Sequence, residues 1–147
     1  MATNLLVSPL LAHCYHHNLE SFFYILIWAV IYYNLNNKTQ GCPSQLLALW
    51  GDQSQALASK LSMWGPGNAG VASKNAIFEL VHPEFQGILQ QWISPLFDLF
   101  DTAFQSVLHR LDHPEFSMYD HATCNGLITF ETFMAAIGVK LRSVEAT

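Results

Sequence analysis

The chain carries little charge. Only 12% of its 147 residues are Asp, Glu, Lys or Arg, against roughly a quarter in an average soluble protein. Six residues are basic and eleven are acidic, and no two basic residues lie closer in sequence than Lys140 and Arg142. Proteins that bind nucleic acids neutralise phosphates with clustered Lys and Arg, so we expect no nucleic-acid partner. A surface this poor in charge is also expected to expose apolar area.

Cysteine is scarce as well. Cys14, Cys42 and Cys124 are widely spaced and odd in number, which argues against a disulfide framework and for free thiols in a reducing compartment. No basic residue precedes the first apolar stretch, and Pro9 interrupts that stretch, so a secretory signal is not expected. These features predict an intracellular, cytoplasmic protein.

The most informative segment is Phe22 to Tyr33, twelve residues without charge, glycine or proline. It is too short to cross a bilayer and too apolar on all sides for a surface helix. We therefore expect no membrane association and predict a buried central helix at about residues 18–35. Asn18, three residues before Ser21, is typical of a helix N-cap.

Further helices follow from apolar spacing. Cys42-Pro43 suits a helix start, and Leu57, Leu61 and Trp64 recur at helical spacing. The segment Gly65 to Gly70 predicts a flexible connection near 65–72 within a single domain spanning 1–147.

The C-terminal half predicts two more helical regions. An apolar face continues in phase from Phe85 to Leu111, and Pro95 inside it predicts a kink or break. The last helix should begin near Thr129 as N-cap and end at Gly138. No strand pattern of comparable length appears, so the predicted fold class is all-α.

The start of the central segment resembles a known family. His17, Asn18, Leu19, Glu20 and Ser21, followed by two phenylalanines, are similar to the His-Asp-Leu-Glu-Ser-Phe-Phe that opens the long central helix in the large lobe of fungal-type protein kinases. Further resemblances flank this motif. The N-terminal residues Met1, Ala2, Asn4, Leu5 and Leu6 look like the end of the family's activation segment, and Gly126, Thr129, Phe130 and Phe133 are similar to its closing motif.

The resemblance implies a partial kinase-like C-lobe packed around one central helix. The family's activity is ATP-dependent protein phosphorylation with ATP and Mg²⁺. That chemistry needs a glycine-rich loop, a strand lysine and two aspartates, and the chain contains none of these motifs. We therefore expect no phosphotransfer by this chain alone and no cofactor. Two alternatives stay open: a degenerate kinase remnant acting as a protein-interaction module, or one stretch of a longer active kinase.

Two positions depart from the family pattern. Asn18 stands where the family has an aspartate that accepts hydrogen bonds from the catalytic loop. Asn4 stands where the family has a glutamate that pairs with an arginine. The loss of both carboxylates indicates relaxed constraint on catalysis. In a partial lobe the central helix would lack its usual neighbours, so we expect an uncovered apolar face that self-associates or holds a protein partner, with Trp64, Trp92 and Phe97 as contact residues in the interaction-module alternative.

Two segments carry side chains that could bind a metal ion. His13, Cys14, His16 and His17 form the densest group of possible ligands, but a structural zinc site normally uses two spaced pairs. We expect structural or solvent-facing roles for them, with zinc as the alternative. Around Asn125-Gly126 a calcium loop would need acids at positions that His121 and Thr132 occupy, so this segment is predicted to be a turn.

Overall fold

The computed structural model describes residues 14–40, 48, 50, 52, 55–64, 68–112 and 118–140. This part of the chain is mostly helical with one two-stranded sheet, which confirms the all-α prediction at the level of fold class. The helix start predicted at Cys42-Pro43 and the N-terminal segment 1–6 lie outside the described residues.

Six helices and two short strands organise the described residues. Three-residue 3₁₀ turns at Ser62–Trp64 and Pro83–Phe85 and a π-helical segment at Leu89–Ile93 lie between some of them. The elements are α1 (Tyr15–Tyr32), β1 (Tyr33–Asn34), β2 (Thr39–Gln40), α2 (Ala56–Leu61), α3 (Asn68–Glu79), α4 (Gln86–Ile88), α5 (Ser94–Asp112) and α6 (Phe130–Ala136).

Helix α1 begins and ends three residues earlier than the predicted 18–35. The chain leaves the helix at Tyr33 because Tyr33 pairs with Gln40, and Asn34 with Thr39, in an antiparallel hairpin. The hairpin turn is stabilised by the Asn34 side chain, whose Oδ1 accepts a hydrogen bond from the Asn37 backbone N at 3.0 Å. The polar segment after the helix therefore forms a defined turn.

The connection predicted near 65–72 is shorter than expected. Helix α3 begins at Asn68, so residues 68–72 are helical, while residues 65–67 lie outside the described part. The Ser73 hydroxyl in α3 donates to the backbone carbonyl of Ser62 at 2.9 Å. This contact joins the two sides of the connection.

The break predicted at Pro95 takes the form of a π-helical turn. Between α4 and α5 the backbone N–H of Ser94 donates to the carbonyl of Leu89, five residues earlier. Proline has no N–H to give to the carbonyl of Gln91, and a π-bulge is one of the ways in which a helix absorbs such an interruption. The helical path from Gln86 to Asp112 thus continues with a local change of register.

The core lies between α1 and α5. Phe23 and Ile27 of α1 are fully buried, as are Ile93 and Leu96 near the start of α5. Aromatic rings dominate this packing, with ring centroids 4.8–6.2 Å apart among Phe23, Trp64, Phe97 and Phe100. Other buried apolar residues are Tyr24, Val30, Met63, Ile77, Val81, Leu89, Ile128 and Phe133.

The final helix forms as predicted. Thr129 caps α6, its Oγ1 accepting from the Thr132 backbone N at 3.1 Å. Gly138 follows the helix with φ +73°, a left-handed conformation that glycine adopts without strain. Over the described residues, no helix has the length and apolar character needed to span a membrane.

Candidate functional site

One side of α1 is exposed and apolar. Phe22, Ile25 and Trp28 are 53%, 63% and 40% exposed, and the partly buried Ala29 and Tyr32 continue the same side. The spacing of three to four residues places all five along one line on the helix surface. We call these five residues the α1 stripe. The central helix is therefore buried on one side only: the side opposite the stripe supplies Phe23 and Ile27 to the core, and the stripe is an uncovered apolar face of the kind expected from the sequence.

The residues from His17 to Ser21 divide between the two sides of α1. His17 and Glu20 are buried, Leu19 and Ser21 are partly buried, and Asn18 is exposed. The other motif residues, Met1, Ala2, Asn4, Leu5 and Leu6, lie outside the described residues.

The helix start differs from the sequence prediction. Cys14 occupies the N-cap position, and the Nδ1 atom of His17 accepts a hydrogen bond from the Cys14 backbone N at 3.0 Å. Asn18 therefore lies inside the first turns and is no N-cap. The imidazole at the third helical position thus takes the place of the Glu or Gln side chain of a capping box.

The side chain of His16, unlike that of His17, contacts the turn that precedes α6. Its Nδ1 lies 2.8 Å from the backbone carbonyl O of Ala122, joining the start of α1 to the turn before α6. Its other nitrogen, Nε2, is buried and has no hydrogen-bond partner in the described part of the chain. A small cavity of about 30 Å³ lies beside His16, Glu20 and Cys124.

The structure directs the described candidate metal ligands to different partners. His16 and His17 have ring centroids 4.0 Å apart, but their Nδ1 atoms bond different backbone groups. Among the described residues no three His, Cys, Asp or Glu side chains converge as a metal site would require. His13 lies outside these residues.

A buried lysine lies against α1. Lys60 of α2 is only 3% exposed, and its Nζ is 4.2 Å from the ring centroid of Tyr24. Burial lowers the pKa of Lys60, and the nearby Glu20 carboxylate opposes that shift. This cation–π contact and the charge of Glu20 offset part of the cost of burying an ammonium group.

Cys124 lies in a turn whose backbone has three consecutive residues with positive φ. Cys124, Asn125 and Gly126 have φ of +52°, +59° and +81°, and two of these three are not glycine. The turn is held by Asp120, whose Oδ1 accepts from the Ala122 backbone N at 2.8 Å. Burial raises the pKa of the Cys124 thiol to about 11, with Glu20 as the next cause. A thiol of this kind is a poor nucleophile at neutral pH.

The raised pKa of Cys124 predicts a pH effect on stability. The native thiol keeps its proton up to about pH 11, whereas the unfolded thiol loses it near its ordinary pKa of 9.0. The native state thus binds more protons between these values, so this contribution is present below pH 9 and is lost as pH rises toward 11.

Urea unfolding of wild type and Cys124→Ala at pH 8 and pH 10.5 checks this prediction. We expect the stability difference between the two chains to shrink at the higher pH. The opposing contribution of Lys60 is present in both chains and largely cancels in the difference, whereas Tyr119, whose pKa burial raises and which contacts Cys124, acts in the same direction as the thiol. A difference that stays constant would contradict the prediction.

Sequence reasoning missed the buried polar cluster of His16, Glu20, Lys60 and Cys124. One signal was present, since Ala56, Lys60 and Met63 share helical spacing and one side. The contact of α1 with the turn at Cys124 has no comparable signal, because His16 and Ala122 are 106 positions apart. The interaction-module prediction is also corrected for Trp64 and Phe97, which are buried, while Trp92 is 39% exposed.

Comparison with protein-family models, curated proteins and solved structures finds no match.

Proposed function

We propose that the chain is a non-catalytic helical module, similar to a partial C-lobe of a fungal-type protein kinase, that binds a helix of another protein along the α1 stripe. The observation that carries this proposal is the exposure of Phe22, Ile25 and Trp28 on a helix whose opposite side forms the core. Contiguous apolar surface on a soluble protein often marks a binding site.

The shape of the stripe favours a helical partner. Its residues run along α1 from Phe22 to Tyr32, a length of about 15 Å at 1.5 Å per residue. Two helices pack by fitting the side-chain ridges of one into the grooves of the other. A partner helix binds in this way through apolar residues at three- and four-residue spacing. No residue of the stripe is charged, so the matching side of the partner should be apolar.

The area of the stripe argues against a second copy of this chain as the main occupant. Full burial of an aromatic side chain removes about 150–250 Å², so three residues at roughly half exposure supply about 300 Å². A stable dimer buries about 800 Å² on each partner.

The position of Asn18 supports the kinase-like part of the proposal. Asn18 is exposed, one helical turn before Phe22 and on the same side. In fungal-type protein kinases, which this segment resembles, an aspartate stands at the position of Asn18 and faces the catalytic loop. The present sequence contains no catalytic-loop motif. An uncovered side of α1 at this position is what a lobe without its catalytic loop should present.

Replacing Ile25 by glutamate should abolish binding to an amphipathic helix. The probe is a synthetic peptide of about 18 residues with one leucine stripe, and its scrambled form is the peptide control. Ile25→Glu places a charge where desolvation is required but leaves the fold intact because Ile25 is largely exposed. Val71→Glu is the matched control, since Val71 is a 57% exposed aliphatic residue on α3.

Binding is measured by titration calorimetry, with magnesium and ATP as a separate arm. We expect saturable binding to wild type and Val71→Glu, at least tenfold weaker binding to Ile25→Glu, and none of ATP. Equal binding by the two variants, or no binding to wild type, would overturn the docking function. A magnesium-dependent ATP affinity in the micromolar range would overturn the non-catalytic assignment.

A further inference from the structure

One hydrogen bond of His16 fixes the tautomer of its neutral ring. A backbone carbonyl only accepts hydrogen bonds, so the 2.8 Å contact with Ala122 O requires the proton on Nδ1. In the neutral imidazole Nε2 then carries a lone pair and is an acceptor. The His16 side chain is 5% exposed, and Nε2 has no donor among the described residues.

A cavity lined in part by the His16 side chain is built from buried and partly buried residues of several elements. Its polar lining comes from His16, Glu20 and Cys124, and apolar residues that include Trp64 and Ala103 complete it. Its volume is about 30 Å³, far below the roughly 300 Å³ of the smallest ordinary ligand pockets. A water molecule needs roughly 10–15 Å³ on this measure and two to four polar partners.

We propose that this cavity is a binding site for one or two ordered water molecules that satisfy His16 Nε2. Water has two donor hydrogens, one of which the Nε2 lone pair can accept, and Glu20 and Cys124 supply the rest of the polar lining. A buried acceptor without a donor is disfavoured, whereas an apolar cavity without such a group stays dry. The water connects α1 to the turn that carries Cys124, alongside the His16–Ala122 bond.

The direction in which a cavity-filling substitution changes the urea midpoint of unfolding tests the site. Ala103 is 3% exposed and lines the cavity. In a dry cavity, Ala103→Val adds packing and raises the urea midpoint. In a hydrated one it displaces the water and leaves His16 Nε2 unsatisfied, so the midpoint falls. We expect the fall.

A His16→Leu background separates water loss from steric strain. Leucine has no acceptor to satisfy, so Ala103→Val should lower the midpoint less in this background than in wild type. Steric strain alone would lower it equally in both, and that result would contradict the proposal.

Magnetic relaxation dispersion of the solvent gives a direct count of long-lived internal waters in the intact chain. We expect wild type to show one or two more of them than Ala103→Val. An unchanged count, or a zinc ion bound stoichiometrically through His16 when the metal is added, would overturn the proposal.

Discussion

Replacing Phe23 by alanine is expected to lower the free energy of unfolding by about 3–5 kcal/mol, the usual range for removing a buried aromatic ring. Phe23 is fully buried, and its ring lies 5.2 Å from that of Phe100 and 6.2 Å from those of Trp64 and Phe97, centroid to centroid. One truncation therefore removes contacts with α5 and with the turn after α2 together. Urea unfolding monitored by circular dichroism measures the loss.

The neighbouring residue supplies the control. Phe22 has the same side chain on the same helix but is 53% exposed on the α1 stripe, where it meets the ring of Phe133 at 6.1 Å. Phe22→Ala is expected to change the free energy of unfolding by less than about 1 kcal/mol. Equal losses for the two variants would mean that α1 does not present one buried and one exposed side.

Replacing Trp64 by alanine is expected to have an effect of similar size, about 3–5 kcal/mol. Trp64 is 2% exposed although it lies in a short 3₁₀ turn. Its ring centroid is 4.8 Å from that of Phe97, and its Nε1 donates to the hydroxyl of Tyr24 at 3.1 Å. The substitution thus removes a large apolar surface and a buried hydrogen bond that joins this turn to α1.

Trp92→Ala is the matched control for this prediction. Trp92 is 39% exposed in the π-helical segment, so its truncation should lower the free energy of unfolding by about 1 kcal/mol or less. Trp64→Phe adds a second comparison, because it keeps an aromatic ring but loses the bond to Tyr24. A Trp64→Ala chain as stable as Trp92→Ala would show that this turn is not part of the core.

The helices could be predicted from sequence because their signals are local. Thr129 and Gly138 bracket α6 with cap chemistry that depends only on nearby backbone, and the interruption by Pro95 follows from a missing N–H. Which side of α1 is covered could not be predicted, since Phe22 and Phe23 are the same residue type and only distant segments distinguish them. The end of α1 was misplaced for a related reason: Tyr33 and Asn34 leave the helix to pair with Gln40 and Thr39.

The polar groups were harder to predict than the apolar ones. Asn18 has a good capping side chain, yet Cys14 and His17 form the helix start four residues earlier. The burial of Lys60 depends on aromatic partners such as Tyr24 from another helix. The orientation of His16 depends on the carbonyl of Ala122, a contact that no short-range pattern encodes.

The proposal that the α1 stripe holds a partner helix is tested most directly by mapping the contact of the amphipathic peptide on the intact chain by NMR. Titration with the peptide should shift the Ile25 methyl and Trp28 indole signals strongly and leave those of Val71 and Trp92 in place. Shifts centred on Trp92 or Val71, or none at saturating peptide, would contradict the account.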